Sequence, residues 1–523
     1  MTGKIVVDRL DTNFVSLPAV WECNARIYPD KEAVVCGSRR LNWDEFNRAV
    51  NRVANALLRD GIGKGDKVAV LMSSSIETLV VIFGAVKAGA CVVPLSPMLA
   101  SDQVTVLIND AAPALAFVSS DTRHLVEASK ADIPSIDAGR WISVGFEGNG
   151  WRDLDHFLVG TSDRNPDVLF DAEDDFFVLY SSGTTGLPKG IVHTHFSRRD
   201  LADTCALEMR FDFTSRVLTT TSLHSTGTFL IVMPAMLVGA TLVIMEKFSP
   251  TALLEMIDRE RITHTFMVPT QFVMVLNDKD PSKFDRSSLK CMLSAGSPLR
   301  NETKLGILEK ISPALFELYG NSEGFATMLK PEQRTHKFDT VGPPFIGHQM
   351  KIIDNEGREL PPGKIGEIVG RGGSMLKEYL NRPADTAAAL WRDEQGKIFF
   401  RTGDIGRMDE ACFVSVLDRK KDMIISGGFN VFPVDIETIL AGHEAVQDVT
   451  VIGIPDEIWG ETPLALVIPR PGATVTEITL TEWVNQRLAK HQRVRAVEFH
   501  QDFPRNALGK VLKRQLRDPY WKT

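Results

Sequence analysis

Little in this chain would direct it out of a reducing, aqueous compartment. Its six cysteines (Cys23, Cys36, Cys91, Cys205, Cys291 and Cys412) are scattered over 523 residues. They form no Cys-x-x-Cys pair and no metal-ligand spacing, which excludes a disulfide framework and a cysteine-held metal. Several stand in apolar runs, where a thiol acts as a small hydrophobe. That usage suits a reducing compartment. No run approaches ~18 uninterrupted apolar residues, so no membrane span is expected. The N-terminus lacks a basic stretch followed by an apolar core, against a signal peptide. The final Tyr-Trp-Lys-Thr is not a Ser-Lys-Leu-type peroxisomal address. The expected location is the cytoplasm. A net charge of −8 gives no general coat for nucleic acid. Basic residues concentrate only at 490–517, a solvated face or a site for an anionic ligand. Internal repeats and low-complexity tracts are absent.

What is present is ordinary globular composition, 44% hydrophobic and 24% charged. At roughly 100–200 residues per domain, this length gives three or four compact units. Residues 67–72, 91–95 and 115–118 read as buried strands, and 76–88 as a long apolar helix. The alternation resumes from 217 to 293, with strands at 241–245 and 264–268 and a helix at 253–259. Strands alternating with helices imply parallel sheets covered on both faces. From about 341, short strands between Gly, Pro and Asp turns (349–353, 365–370, 398–400, 413–417) imply an antiparallel, β-rich unit. The charged run Asp418-Arg-Lys-Lys-Asp422 reads as an exposed linker. Beyond it, strands at 449–454, 464–468 and 497–499 and a helix near 481–489 suit a small α+β domain.

The most informative run is Tyr180-Ser-Ser-Gly-Thr-Thr-Gly-Leu-Pro-Lys-Gly190, directly after the apolar strand 176–179. Gly183, Gly186 and Gly190 open backbone conformations closed to other residues. Hydroxyls and exposed N–H groups there can wrap a phosphate, and Lys189 adds a positive charge. It is not a Walker A loop: the sixth residue from Gly183 is Pro188, and Gly190 stands where Ser or Thr is required.

Four further segments follow in order: Tyr319-Gly-Asn-Ser-Glu323, Arg401-Thr-Gly-Asp404, Asp418-Arg-Lys-Lys-Asp-Met-Ile-Ile-Ser-Gly-Gly428, and Pro504-Arg-Asn-Ala-Leu-Gly-Lys510. With the 180–190 loop, their order and spacing resemble the adenylate-forming superfamily of acyl- and aryl-CoA synthetases, peptide-synthetase adenylation domains and luciferases. The resemblance runs from about residue 20 to 517 and is most like an acyl-CoA ligase. It implies an α/β fold: a large N-terminal adenylating domain (1–417) of two helix-flanked, largely parallel sheets plus a β-rich subdomain, a hinge (418–421) with Lys421 as pivot, and a small mobile α+β domain (422–523).

The resemblance also implies the site. ATP would be held by Ser181, Ser182, Gly183, Thr184, Thr185, Gly186 and Lys189, by Ala295-Gly296-Ser297 at the adenine, and by Tyr319, Gly320, Asn321 and Ser322. Asp404 and Arg419 would bind the ribose hydroxyls; a carboxylate accepts from both. Glu323, with Ser181, would hold Mg²⁺, which prefers carboxylate, water and phosphate oxygens. Lys510 would reach into the site for adenylation, offsetting charge as the acid attacks the α-phosphorus; losing one such group costs ~10²–10³ in rate. His224 would gate the acyl pocket, and Thr184, Lys189 and Glu323 would complete the catalytic set. Coenzyme A would meet Gly427, Gly428, Trp459, Arg493 and Arg495. The acyl pocket would draw on His224, Gly227, Thr228, Phe229, Val268, Gly296, Gly324 and Phe325, with Gly227 and Gly324 setting its depth.

The implied activity is acid plus ATP to acyl-AMP and pyrophosphate, then acyl transfer to CoA with release of AMP. The pocket segments carry no Lys, Arg or Asp, which disfavours a dicarboxylate or an amino acid and leaves an uncharged tail. A homodimer is left open. A stand-alone enzyme loading a carrier-protein thiol is the alternative; AMP release without thioester would mark it. A non-catalytic ATP sensor is the reading outside enzymes, against which intact Glu323, Asp404 and Lys510 argue. A luciferase would need a luminogenic substrate.

Overall fold

The computed structural model describes residues 14–180, 188–277, 281–427, 429–505 and 511–521. Two eight-stranded sheets carry residues 32–379. In the first, Asp175–Tyr180, Cys91–Pro94, Lys67–Leu71, Leu115–Ser119, Trp141–Val144 and Arg152–Asp153 run parallel in that spatial order. Gly190–Thr194 and Glu378–Tyr379 add antiparallel strands at one edge. In the second, Glu32–Cys36, Thr241–Ile244, Arg216–Thr219, His264–Met267, Cys291–Ser294 and Leu315–Gly320 are parallel neighbours. Arg39–Asn42 and Ala326–Leu329 close its two edges antiparallel.

The short apolar runs behave as parallel strands covered on both faces do: every residue of Cys91–Pro94 and Thr241–Ile244 is buried. Helix Ile76–Lys87 starts at Ser75, whose side chain accepts from the Thr78 N–H at 3.1 Å. All of its residues but Glu77 are buried, as expected of a helix apolar on every face. With helices Trp43–Arg59 and Thr226–Leu237 it forms one core shared with strands of both sheets.

An antiparallel sheet follows, ordered Gln349–Ile353, Gly366–Arg371, Ile398–Met408 and Leu390–Arg392, with Val414–Arg419 also on Ile398–Met408. A last sheet joins Phe429–Val431, Ile424–Ser426, Gly460–Pro469 and Val446–Asp456, with Val497–Phe499 parallel to Gly460–Pro469. No helix among the described residues is long and apolar enough to cross a membrane.

Several expected boundaries move. The strand expected at 398–400 continues through Arg401-Thr-Gly-Asp404 to Met408. The Asp404 N–H bonds Thr402 Oγ1 at 2.8 Å, so a local turn is absorbed inside a strand. The helix expected at 481–489 is Glu477–Asn485, because Thr476 caps it by accepting from the Thr479 N–H. The charged run expected to be exposed begins inside a sheet. Asp418 and Arg419 lie in strand Val414–Arg419, paired with Ile405 and Asp404, and the run is anchored by ion pairs rather than free in solvent. Arg419 meets Asp404 at 2.7 Å and Lys420 meets Glu367 at 3.1 Å.

Candidate active site

The strand Leu315–Gly320 and its exit assemble most of the site. Ligands of parallel sheets settle beyond the carboxyl ends of the strands, and four neighbouring strands of the second sheet end together here. Tyr319, near the end of its strand, donates its hydroxyl to Asp404 Oδ2 at 2.8 Å. Arg419 Nε holds the other oxygen, Oδ1, at 2.7 Å. Burial, and then the Asp404 charge, push the Tyr319 phenol far above its ordinary range, so it stays a donor. Four residues on, Glu323 Oε1 accepts from the Tyr379 hydroxyl at 2.8 Å. Burial raises the Glu323 carboxyl, and the Tyr379 hydrogen bond opposes it. The Glu323 carbonyl accepts from the Leu376 N–H at 2.7 Å.

Lys189, beside the phosphate-loop segment, lies over the Tyr379 ring with Nζ 4.9 Å from its centroid. The same ammonium meets Asp385 at 3.1 Å. The strands around the loop are tied from both sides. The Tyr180 hydroxyl donates to Asp110 Oδ2 at 2.8 Å, and Arg382 grips the same carboxylate at 2.9 Å. The Leu380 N–H donates to the Gly190 carbonyl at 2.8 Å. Ser181, Ser182, Gly183, Thr184, Thr185, Gly186, Gly428 and Lys510 lie outside the described residues.

Ala295 and Gly296 directly follow strand Cys291–Ser294, and a Cβ at Gly296 would lie 3.7 Å from Val268 Cγ1. Ser322 Oγ meets Thr226 Oγ1 at 3.1 Å. His224 is held neutral: burial lowers its pKa to about 4. Its Nδ1 and the Oδ1 of Asn321 are buried without a hydrogen-bond partner among the described residues. Such orphaned atoms cost free energy unless a ligand completes them.

Three expected pocket residues are corrected. Phe229 is fully buried in the central core against Phe177, with ring centroids 4.7 Å apart. Phe325 packs in the antiparallel subdomain beside Phe400 and Gly370. Gly324 has φ +102, and a Cβ there would meet the Ser374 carbonyl oxygen at 1.9 Å, so its lack of a side chain admits the main chain of the 373–376 turn rather than an acid. Thr228 is buried, bonded to Thr221 and Ser222, and a Cβ on Gly227 would press on the Phe266 ring at 2.6 Å.

In the last sheet, the Gly427 N–H donates to the Trp459 carbonyl at 2.8 Å, and a Cβ at Gly427 would strike the Trp459 ring at 2.5 Å. Trp459 is half exposed, Arg493 and Arg495 are exposed, and Phe429 packs on His491. Lys421 is exposed, and its carbonyl accepts from Arg517 at 3.3 Å. Tyr379, Asp385 and Tyr180 are the residues that sequence reasoning passed over. A signal existed: the chain has five tyrosines against 28 phenylalanines. Four of the five donate to a carboxylate: Tyr180 to Asp110, Tyr319 to Asp404, Tyr379 to Glu323 and Tyr520 to Glu498.

Residues 21–380 match the family model described as AMP-binding enzyme, and residues 435–510 match the AMP-binding enzyme C-terminal domain. The chain belongs to this family. Within it, the chain is 32% identical to the long-chain-fatty-acid–CoA ligase FadD13 of Mycobacterium tuberculosis, over 92% of this chain and 94% of that one. It is 31% identical to a feruloyl-CoA synthase of an Amycolatopsis species, over 94% and 96%. Among solved structures, ATP-bound MatB from Rhodopseudomonas palustris matches with a TM-score of 0.86 at 26% identity, covering 97% of this chain and 99% of the other. This AMP-binding enzyme is thus an adenylate-forming acid–thiol ligase by family, and the ATP-bound relative supports ATP as its nucleotide.

Magnesium, which the family implies, fits the residues present. Among the described residues, no group of three or more His, Cys, Asp or Glu side chains could hold a metal alone. A single carboxylate, Glu323, is what an ion arriving with triphosphate oxygens requires.

Proposed function

We propose that this enzyme joins a carboxylic acid with an uncharged, largely apolar tail to coenzyme A, through an acyl-adenylate. The observation that carries the reading is the two-ended strand exit. Residues 319 and 323 hold a ribose-suited carboxylate–guanidinium pair at one end and a phosphate-and-metal-suited Lys–Tyr–Glu group at the other. Asp404 retains lone pairs for ribose hydroxyls after accepting from Tyr319 and Arg419. Glu323 and Ser181 would hold Mg²⁺, which supplies charge neutralisation on the triphosphate. Lys189 would grip that triphosphate. Lys510 would sit between the entering carboxylate and the departing pyrophosphate, stabilising charge that develops only at the transition state.

His224, neutral at pH 7, serves as a planar wall and hydrogen-bonding group, not as an acid. The acyl tail would pass between His224, Val268 and Gly296, three residues that offer no cation to a second carboxylate. The names of two relatives, a long-chain-fatty-acid–CoA ligase and a feruloyl-CoA synthase, fit neutral tails. For thioester formation the unit beyond residue 421 would turn about Lys421, bringing Gly427, Gly428 and Trp459 toward the adenylate, with Arg493 and Arg495 meeting coenzyme A phosphates. The Lys420–Glu367 and Arg419–Asp404 pairs lie on the fixed side of that pivot. They anchor the hinge to the large unit.

The test supplies ATP, Mg²⁺, CoA and single acids to the purified enzyme and measures pyrophosphate and thioester. Hexanoate, benzoate or cyclohexanecarboxylate should exceed acetate and malonate. AMP without thioester would shift the reading to a carrier-protein acceptor, and malonate as the best acid would overturn the neutral tail. Lys510→Ala should abolish acyl-AMP formation yet spare thioester formation from supplied acyl-AMP; equal loss of both steps refutes the division of labour.

A further inference from the structure

One ring joins the two charged groups assigned above to the triphosphate and its metal. Tyr379 closes the short edge strand Glu378–Tyr379, which pairs with Gly190–Thr194, the strand that begins just after Lys189. Its ring is buried. One face carries the Lys189 ammonium at 4.9 Å, and the hydroxyl at the ring's far end donates to Glu323 at 2.8 Å. The Glu323 carboxyl also feels the Lys189 charge. Lys189 is not idle in this arrangement: its ammonium is engaged by Asp385 at 3.1 Å, with both side chains partly open to solvent. Asp385 lies in the first turn of helix Pro383–Ala388 and Tyr379 just before it. The Tyr379 N–H donates to Thr386 Oγ1 at 2.9 Å, which fixes the two residues relative to each other.

A phosphate approaching Lys189 therefore competes with a carboxylate already in place. We propose that Asp385 is a resting counter-ion that the triphosphate displaces from Lys189, and that Tyr379 is the positioning residue that holds both Lys189 and Glu323 in register. This rests on the ATP-dependent reading above and adds two residues with opposite effects. Asp385 works against ATP binding. Tyr379 works for it. The exchange also has a use: without nucleotide, a cation between a desolvated ring and open solvent keeps a partner, and the lysine stays near the place it is needed.

The size of the effect follows from exposure. A partly exposed pair is worth little, so removing its anion should change triphosphate affinity by about 1.5- to fivefold. The experiment measures binding by calorimetry, with α,β-methylene-ATP and AMP as probes, each with and without Mg²⁺, on the full chain. Asp385→Asn preserves shape and removes charge. It should bind the triphosphate analogue about 1.5- to fivefold tighter and AMP unchanged, while Asp385→Glu returns to the unaltered affinity. Tyr379→Phe keeps the ring under Lys189 and frees Glu323; it should weaken analogue binding at least threefold with Mg²⁺ and leave it unchanged without. Melting curves establish that the variants are folded. Unchanged or weaker analogue binding by Asp385→Asn, or an equal gain for AMP, would overturn the counter-ion role. An equal loss by Tyr379→Phe with and without Mg²⁺ would overturn the positioning role. Failure of the unaltered chain to bind the analogue at all would instead overturn the ATP-dependent reading, and this inference with it.

Discussion

Gly324→Ala separates two accounts of one glycine. If Gly324 set pocket depth, an added methyl would leave the fold intact and shorten the preferred acid. The geometry says otherwise. At φ +102 an L-residue is strained by ~1–2 kcal/mol. The new Cβ would lie 1.9 Å from the Ser374 carbonyl oxygen and 2.7 Å from Met375 Cα. Restoring ordinary contact needs a main-chain shift of roughly 1.5 Å. That shift breaks the Leu376 N–H to Glu323 carbonyl bond at 2.7 Å and the Ser374 Oγ to Gly324 carbonyl bond at 2.8 Å. It also disturbs the buried Arg198 donor to Ser374 O at 3.0 Å. At ~1 kcal/mol per neutral bond and ~1.5–3 kcal/mol for the charged one, the total is about 4–7 kcal/mol, a large share of typical stability. The assay is a melting curve beside pyrophosphate exchange over acids of increasing length. The first transition should fall steeply, and activity should drop by one common factor for all acids, because the Glu323 carbonyl is bonded to the segment that shifts. Gly296→Ala is the contrast in space, not in backbone: at φ +94 it carries the same ~1–2 kcal/mol of strain, but its Cβ meets only Val268, at 3.7 Å, so it should lose far less stability and discriminate against bulkier tails. A Gly324→Ala enzyme with an unaltered melting curve and a shifted acid preference would refute the reasoning.

Glu367→Gln tests the hinge anchor. The buried carboxylate accepts from Arg401 at 2.6 Å and Lys420 at 3.1 Å; its partners are partly solvated, so about 1–3 kcal/mol of stability should be lost. The ratio of single-turnover thioester formation to pyrophosphate release should change by severalfold, and a constant ratio would remove Lys420 from the hinge. A third prediction concerns acid. Burial lowers His195, His224 and His264 to about 4, and burial and then Arg198 lower His193. Folded values below the unfolded ~6.5 mean the native state binds fewer protons in between. Their contribution is therefore full above pH ~6.5 and lost as pH falls toward ~4, by up to about 3 kcal/mol per group. Denaturant midpoints should drop steeply across that window, and His264→Gln should flatten the slope; a level profile from pH 7 to 4.5 would contradict it.

The elements that were legible in the sequence are those whose signal is local. Strand Gln349–Ile353 and strand Val497–Phe499 stand where residue pattern alone puts them, and helix Ile76–Lys87 within one residue. Each is a short apolar run between turn residues, or a helix with a serine cap. The ion pairs of the 418–422 run were not legible because a charged run looks solvated when read along the chain, and its partners Glu367 and Asp404 lie 53 and 15 residues away. The pocket aromatics failed for a related reason: Phe229 and Phe325 sit beside site residues in sequence, but the helix that carries Phe229 and the turn that ends at Phe325 direct the rings into cores.

The tyrosines argue this point furthest. The chain uses phenylalanine wherever a ring alone is needed, as at Phe177, Phe229 and Phe266 in the central core. A buried phenol costs free energy without an acceptor, so a chain sparing with tyrosine spends it where a hydroxyl has a fixed partner. Tyr180, Tyr319 and Tyr379 each orient a carboxylate (Asp110, Asp404 and Glu323) on elements around the proposed ATP site. Asp404 and Asp110 already take an arginine each, Arg419 and Arg382, so a tyrosine adds a neutral contact that fixes the carboxylate without adding a second positive charge. Where the carboxylate has to receive ribose hydroxyls or a metal ion, tyrosine is the side chain that fixes its position and leaves its chemistry free.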